Sequence, residues 1–173
     1  MKVNKFYRAI LILFILALNI GCDQVSKTIV RRDIPDNKVI GYLGNHFTIE
    51  KAENTGAFLS LGDTLGGPVH TILLVILPLL AILGALVYII INTKITKYTL
   101  LGIILIIGGG VGNLYDRMIH GSVTDFMHID FGFAQTGVFN VADMSIMAGM
   151  FIILINSYFK RKEEAAVPGA QEL

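Results

Sequence analysis

The stretch "VHTILLVILPLLAILGALVYIII", residues 69–91, decides the class of this protein because it contains no Asp, Glu, Lys or Arg. A helix needs about 20 predominantly apolar residues to cross the hydrocarbon core of a bilayer. The segment is long enough to do so, and Pro78 within it predicts a kink that a membrane helix tolerates. The sequence therefore predicts a membrane-spanning helix at this position.

The composition of the whole chain agrees with that segment. Of the 173 residues, 54% are hydrophobic and only 16% are charged, whereas a soluble domain carries about 25% charged residues. The net charge of +1 gives no reason to expect a nucleic acid partner. A single cysteine excludes an internal disulfide and a cysteine-rich metal site. We therefore expect an integral membrane protein.

Three further apolar segments complete a set of four predicted spans. They lie at about residues 6–25, 98–115 and 138–159. Lys and Arg are concentrated before the first span, between the second and third, and after the fourth. By the positive-inside rule, this distribution places both termini in the cytoplasm. The sequence thus predicts one membrane domain over residues 1–162, followed by a disordered cytoplasmic tail at 163–173.

The outer segment at about residues 31–68 predicts a small folded unit. Residues 38–52, "KVIGYLGNHFTIEKA", alternate and are rich in β-branched and aromatic residues, which predicts two short strands around Gly44-Asn45. Residues 57–67, "AFLSLGDTLGG", predict a short amphipathic helix on the membrane surface.

Polar residues that can carry chemistry are concentrated in residues 112–143, where the third span ends and the fourth begins. This hairpin brings Asp125 and Asp143 to the same outer boundary of the membrane. An ionised carboxylate within an apolar helix is costly, so Asp143 is a functional candidate. Two carboxyl groups close together in a low dielectric retain one proton. One can then act as a base on water while the other polarises a carbonyl.

A structural role is the alternative for these residues. In that case Asp143 caps the fourth helix or pairs with Arg117. For Asp116 and Arg117 we expect a structural salt bridge or a backbone anchor rather than a catalytic pair. The density of polar residues at one depth argues against a purely structural cluster: Asn113, Asp116, Arg117, Asp125, Asn140 and Asp143.

Five short blocks in this order resemble the signature blocks of bacterial lipoprotein signal peptidase, the signal peptidase II family. They are "DQVSK" (23–27), "ENTGAF" (53–58), "GNLYDR" (112–117), "GSVTDF" (121–126) and "FNVAD" (139–143). The resemblance covers nearly the whole chain. Leu114, Tyr115 and Thr124 fall at positions of these blocks where we expect variation.

The resemblance implies a membrane aspartyl endopeptidase that removes the signal peptide from diacylglyceryl-modified prolipoproteins, cutting before the lipidated cysteine. Asp125 and Asp143 match the dyad that activates water, and Asn54 and Arg117 match positions that hold the substrate backbone. The remaining motif positions support the site: Asp23, Lys27, Asn113, Asp116 and Asn140.

The same resemblance carries expectations for the setting of the enzyme. It implies four spans with an outer β-cradle and a surface helix. It also implies the bacterial inner membrane, an active site at its outer face, and no metal or cofactor. We expect a monomer. The four histidines are scattered along the sequence: His46, His70, His120 and His128. Of these, His120 and His128 are expected at the surface, in a loop.

Two other classes of function are weighed against this one. A small proton- or ion-coupled transporter can use the same carboxylates as a relay, but the second and third spans offer almost no polar residues along their depth. A membrane-anchored binding module leaves the paired acids unexplained.

The first span raises a separate question, because "NIGC" at residues 19–22 looks like the cleavage site of a lipoprotein precursor. Asp23 and Lys27 are spaced i, i+4, so they can pair on one face of a helix that continues past Cys22. We therefore expect Cys22 to pack as a small apolar residue near the outer end of that helix. In the third span, Gly108, Gly109, Gly110 and Gly112 predict close approach between helices.

Overall fold

Four long helices form the body of the protein in the computed structural model, which describes residues 5–56 and 67–166. All four are long and apolar enough to cross a membrane, judged by length and composition. This architecture confirms the predicted fold class. The helices are α1 (Lys5–Asp33), α2 (Gly67–Ile91), α3 (Lys97–His120) and α4 (Val141–Ala166).

The helix ends differ from the predicted spans. α1 continues to Asp33 because Asp23 and Lys27, which interrupt its hydropathy, are fully buried inside the bundle instead of marking the end of a span. α4 continues to Ala166, so the predicted disorder is wrong for residues 163–166. The charged residues that follow Phe159 are good helix formers, and they extend the helix beyond its apolar part.

Cys22 does not occupy the predicted packed position. It is exposed, and it lies in the middle of α1 rather than near its end. Successive residues are rotated by about 100° around a helix. Because the buried Asp23 faces the bundle, Cys22 is turned outward.

A three-stranded antiparallel sheet follows the order β1 (Ile40–Tyr42), β2 (Phe47–Asn54), β3 (Val123–Ile129). The first two strands confirm the predicted hairpin, with Gly44 and Asn45 in the left-handed conformation at its turn. β3 was not predicted and begins just after Gly121 ends α3 with a φ of +77°. The predicted surface helix falls almost entirely on residues outside the described part of the chain.

α3 lies between the other helices, and its glycines permit this. The space for a Cβ is taken by Asn19 at Gly108, by the carbonyl oxygen of Ala142 at Gly109, and by Asp23 at Gly112. Gly110 meets Ile82 of α2. The predicted close approaches are confirmed. They bring α1 and the first turn of α4 against α3 at the depth of the polar residues.

Gly109→Ala is expected to destabilise the fold by about 1–3 kcal/mol, because the added methyl group meets the backbone of α4 and cannot be accommodated by rotating a side chain. Gly84→Ala is the matched control, since nothing lies within 4 Å of the added Cβ there. Thermal unfolding of both variants in detergent measures the difference. Equal melting temperatures would show that the contact at Gly109 is unimportant.

Candidate active site

Asp125 lies in β3 with its carboxylate held by two amide groups. It is 3% exposed. Asn54 at the end of β2 donates from Nδ2 to Oδ2 at 3.0 Å, and Asn140 donates from Nδ2 to Oδ1 at 2.6 Å. Both carboxylate oxygens are thus positioned, one from the neighbouring strand and one from the start of α4.

Asp143 lies in the first turn of α4 and forms a reciprocal cap with Asn140. The Asp143 amide donates to Asn140 Oδ1 at 2.9 Å, and the Asn140 amide donates to Asp143 Oδ2 at 3.1 Å. This is the geometry of a capping box. The other oxygen, Oδ1, accepts from Asn113 Nδ2 at 2.8 Å. The predicted capping role of Asp143 is therefore present, together with a direct tie to α3.

Two asparagine side chains connect the two carboxyl groups. Asn140 Nδ2 donates to Asn113 Oδ1 at 3.1 Å as well as to Asp125. Asn113 Oδ1 also accepts from Lys27 Nζ at 2.9 Å. The orientation of each amide is fixed, because every polar atom of the two side chains has a partner of the right polarity. Asp125 and Asp143 are held as one unit.

A buried ion cluster supports this unit from α1. Lys27 is fully buried and pairs with Asp23 at 2.9 Å and with Asp116 at 2.8 Å, which confirms the predicted i, i+4 pair. Asp116 also binds Arg31 at 2.9 Å. Asp23 Oδ1 accepts from the Ala142 amide at 2.9 Å, so α1 also holds the first turn of α4.

Arg117 anchors backbone groups and does not pair with Asp116. Its Nη2 donates to the Gly56 carbonyl at 2.7 Å, and Nη1 donates to the Asn113 carbonyl at 3.4 Å. Of the two structural roles predicted for Asp116 and Arg117, the salt bridge between them is wrong, because Asp116 is paired with α1. The backbone anchor is confirmed. Within the described residues, the buried Nε of Arg117 has no hydrogen-bond partner.

A cavity of about 650 Å³ contains both aspartates. Most of its lining is apolar, and the larger apolar share comes from α2 and α4, including Leu73, Leu74, Pro78, Met144, Met147 and Met150. Leu73 and Leu74 belong to a π-helical turn, Ile72–Ile76, just before Pro78. The polar lining residues are Asn54, Asn113, Arg117, Asp125, Thr136 and Asp143.

Burial raises the pKa of Asp125 to about 6. The hydrogen bonds from Asn54 and Asn140 oppose this shift because they stabilise the carboxylate, while the negative charge of Asp143 adds to it. Asp125 is therefore expected to change its protonation state near pH 6, well above the range of an exposed aspartate.

The titration of Asp125 is a direct prediction. Carbon-13 NMR of its carboxyl group is expected to give a midpoint of about 6. Asp143→Asn is expected to lower that pKa, because it removes a neighbouring negative charge. A midpoint near the ordinary value of about 4 in the parent protein would contradict the effect of burial. An unchanged midpoint in the variant would contradict the coupling of Asp125 to Asp143.

All nine predicted site residues meet at this place. Asp125, Asp143, Asn54, Arg117 and Asn113 line the cavity, and the others stand behind it: Asp23, Lys27, Asp116 and Asn140.

Sequence reasoning missed several residues around the site. Thr124, where we expected variation, is fully buried, and Arg31 and Glu53 both bond to its hydroxyl. Gln24 lies in the first block and bonds to Asp116, which its position within "DQVSK" could have suggested.

No histidine is among the described residues that line the cavity of the two aspartates. His120 is exposed at the end of α3, as expected for a surface residue, but His128 lies half-buried in β3, so the predicted loop position is wrong for it. The bonding partners of the four histidines are Asp130 for His46, Thr55 for His70, Arg31 for His120 and Thr48 for His128. Among residues 5–56 and 67–166, no group of three His, Cys, Asp or Glu side chains could hold a metal ion.

Comparison with known proteins gives a consistent result. The family described as Signal peptidase (SPase) II matches residues 15–159. A protein named lipoprotein signal peptidase from Streptococcus pneumoniae is 34% identical over 148 residues, which cover 86% of this chain and 92% of the relative. A protein of the same name from Clostridioides difficile is 36% identical, over 88% of this chain and 98% of the relative.

Solved structures share the fold. A bacterial membrane enzyme determined by the in meso method at 2.3 Å superposes with a TM-score of 0.77 at 23% identity. The alignment covers 94% of this chain and 93% of that one. A second membrane enzyme, determined at 1.9 Å, gives a TM-score of 0.70 at 24% identity.

Proposed function

Because the chain belongs to the signal peptidase II family, we propose that it is a membrane aspartic endopeptidase that removes the signal peptide from prolipoproteins, using Asp125 and Asp143. The observation that carries the residue assignment is the shared amide framework. Asn113 and Asn140 hold both carboxyl groups at one largely apolar cavity. Nothing in the comparisons supports the transporter alternative.

The two aspartates divide acid and base roles in the reaction. The ionised carboxyl takes a proton from water as the water oxygen bonds to the scissile carbonyl carbon. The protonated carboxyl donates its proton to the carbonyl oxygen, which gives a neutral tetrahedral diol. When the carbon–nitrogen bond breaks, one diol hydroxyl loses its proton and the leaving amine gains one. The pair returns to its singly protonated state.

Arg117 and Asn54 hold the substrate backbone beside the aspartates. The buried Nε of Arg117, without a partner among the described residues, offers an N–H to a substrate carbonyl at the cavity. Its anchor to the Gly56 carbonyl keeps the guanidinium in place. Asn54, which bonds to Asp125, lies where it can contact the same peptide.

The apolar cavity wall suits a diacylglyceryl-modified precursor. Methionines at three successive turns of α4 and the leucines of α2 give a flexible apolar surface for acyl chains. Cleavage then occurs before the lipidated cysteine, whose lipid is held in this wall while the peptide bond lies at Asp125 and Asp143.

The setting of the enzyme is part of the proposal. Residues 1–162 form one membrane domain in the bacterial inner membrane, with both termini in the cytoplasm and the active site at the outer face. The basic flanks of the spans support this orientation. The enzyme works as a monomer without a metal or cofactor.

The function is tested with purified protein in detergent and two forms of one precursor, with and without the diacylglyceryl group. We expect mass spectrometry to find cleavage before the cysteine of the lipidated form only. A precursor that stays intact, or equal cleavage of both forms, would contradict the proposed substrate. Ion flux in sealed vesicles without cleavage would favour the transporter.

A further inference from the structure

The sheet has a second face, opposite the cavity, on which polar side chains join β2 to β3. Glu53 of β2 is paired with Thr124 of β3, next to the pair formed by Ala52 and Asp125. Because side chains alternate along a strand, Glu53 and Thr124 point away from the face that carries Asn54 and Asp125. This rear face is therefore adjacent to the catalytic pair but separate from it.

Four residues on the rear face form a hydrogen-bonded group that we call the rear clasp: Arg31, Glu53, Ser122 and Thr124. The hydroxyl of Thr124 accepts from Arg31 Nε at 2.7 Å and donates to Glu53 Oε1 at 2.8 Å. Ser122 donates to Glu53 Oε2 at 2.6 Å. Thr124 is fully buried, so its hydroxyl depends on these partners.

The rear clasp is continuous with the framework of the active site. Arg31 binds Asp116 at 2.9 Å, and Asp116 binds Lys27 at 2.8 Å. Lys27 donates to Asn113, which holds Asp143. A chain of direct polar contacts thus runs from Glu53 on the sheet to the amides that hold the aspartates.

The clasp lies beside an irregularity in the sheet. The pairing of β2 with β3 is irregular between Ile49 and Ala52, and only three residue pairs follow before β2 ends at Asn54. Register is weakly specified in so short a segment. A slip of one residue would turn Asn54 to the opposite face, away from Asp125.

We propose that the rear clasp holds the end of β2 in register, so that Glu53, Thr124 and Arg31 are positioning residues that keep Asn54 against Asp125. This inference rests on the proposed function, because it assigns the three residues a role in the same reaction. A clasp that only stabilised the sheet would affect the melting temperature and leave the turnover of the folded enzyme unchanged.

The test compares two Thr→Val substitutions in the same sheet. Thr124→Val removes the clasp hydroxyl at nearly constant volume. Thr48→Val is the matched control, since Thr48 is also buried and its hydroxyl lies 3.4 Å from His128 across the same two strands, beyond the irregularity. Thr124→Ser keeps the hydroxyl, and Glu53→Gln keeps the shape while it removes the charge.

For Thr124→Val we expect kcat to fall about tenfold and KM to rise by less than that, because a displaced Asn54 positions Asp125 less well and Asn54 also contacts the substrate. Thr124→Ser is expected to restore kcat, and Thr48→Val to leave it unchanged. The carboxyl pKa of Asp125, followed by NMR, should rise in Thr124→Val because the stabilising bond from Asn54 is loosened.

A kcat for Thr124→Val within twofold of Thr48→Val, with an unchanged Asp125 titration, would overturn the proposal. If Thr124→Val does not fold, Glu53→Gln decides: a lower kcat supports the clasp and an unchanged kcat overturns it. Asp125→Asn is measured alongside. If it still cleaves, the proposed function fails. If it is inactive while the clasp variants are normal, only the clasp is wrong.

Discussion

Asp125→Asn is expected to lower the cleavage rate of a lipidated precursor by a factor on the order of a thousand or more. The variant loses a carboxyl that must exchange a proton with water or with the scissile carbonyl. An amide also fits the site badly, because Asn54 and Asn140 both donate to Asp125. One of those donors would face an N–H group instead of an oxygen.

The control for this variant is Asp130→Asn. Asp130 follows β3, and its side chain accepts from the Gly132 amide at 2.7 Å, a bond that an asparagine oxygen can also make. We expect that variant to keep its activity and melting temperature. Cleavage by Asp125→Asn within about tenfold of the parent rate would contradict a proton-transfer role for Asp125.

Lys27→Met is expected to destabilise the protein by about 3–5 kcal/mol. Lys27 is fully buried and lies between two fully buried carboxylates, Asp23 and Asp116. Removing the cation leaves the carboxylates of Asp23 and Asp116 without Lys27 in a low dielectric. Removing one partner of a buried ion pair in this way is strongly destabilising, whereas replacing the whole pair by apolar residues is often neutral. The loss should appear as a large drop in melting temperature in detergent, with weaker packing of α1 on α3.

Lys51→Met provides the comparison with a solvent-exposed ion pair. Lys51 binds Asp36 at 2.6 Å, but Asp36 is 78% exposed. Such pairs contribute less than about 1 kcal/mol. If Lys27→Met and Lys51→Met lowered the melting temperature equally, the cluster around Lys27 would not be the internal support that its contacts indicate.

The helices could be predicted from the sequence because hydropathy and length constrain a membrane span strongly. Their ends could not, since a charge within a helix can either terminate the span or turn inward to a partner. Lys27 does the second, and its partners lie on α1 itself and on α3, far away in sequence. Spacing i, i+4 indicated the first partner but gave no sign of the second.

The strand β3 was missed for a related reason. "VTDFMHI" does not alternate between apolar and polar residues, because the adjacent Thr124 and Asp125 are both polar. Both are buried, one in the rear clasp and the other in the site on the opposite face. The strand also begins only three residues after a membrane helix, a position where the sequence alone suggests a connecting loop. Functional residues here replaced the pattern that normally reveals a strand.

The candidate site could be predicted as a set of residues but not as a geometry. The motifs indicated Asn113 and Asn140 as supports, and the structure adds that one amide pair holds both aspartates. Glu53 and Thr124 are far apart in sequence, and the register of β2 against β3 brings them into contact. That register depends on long-range pairing and on an irregularity that a single sequence does not reveal.

The most direct test of the aspartate pair is a double-mutant cycle under single-turnover conditions, with Asp125→Asn, Asp143→Asn and the double variant assayed on one lipidated precursor. Groups that act as one unit are strongly non-additive. We predict that each single variant is as inactive as the double variant, with all three folded. Single variants that keep appreciable activity, or losses that multiply in the double variant, would contradict a shared catalytic role for Asp125 and Asp143.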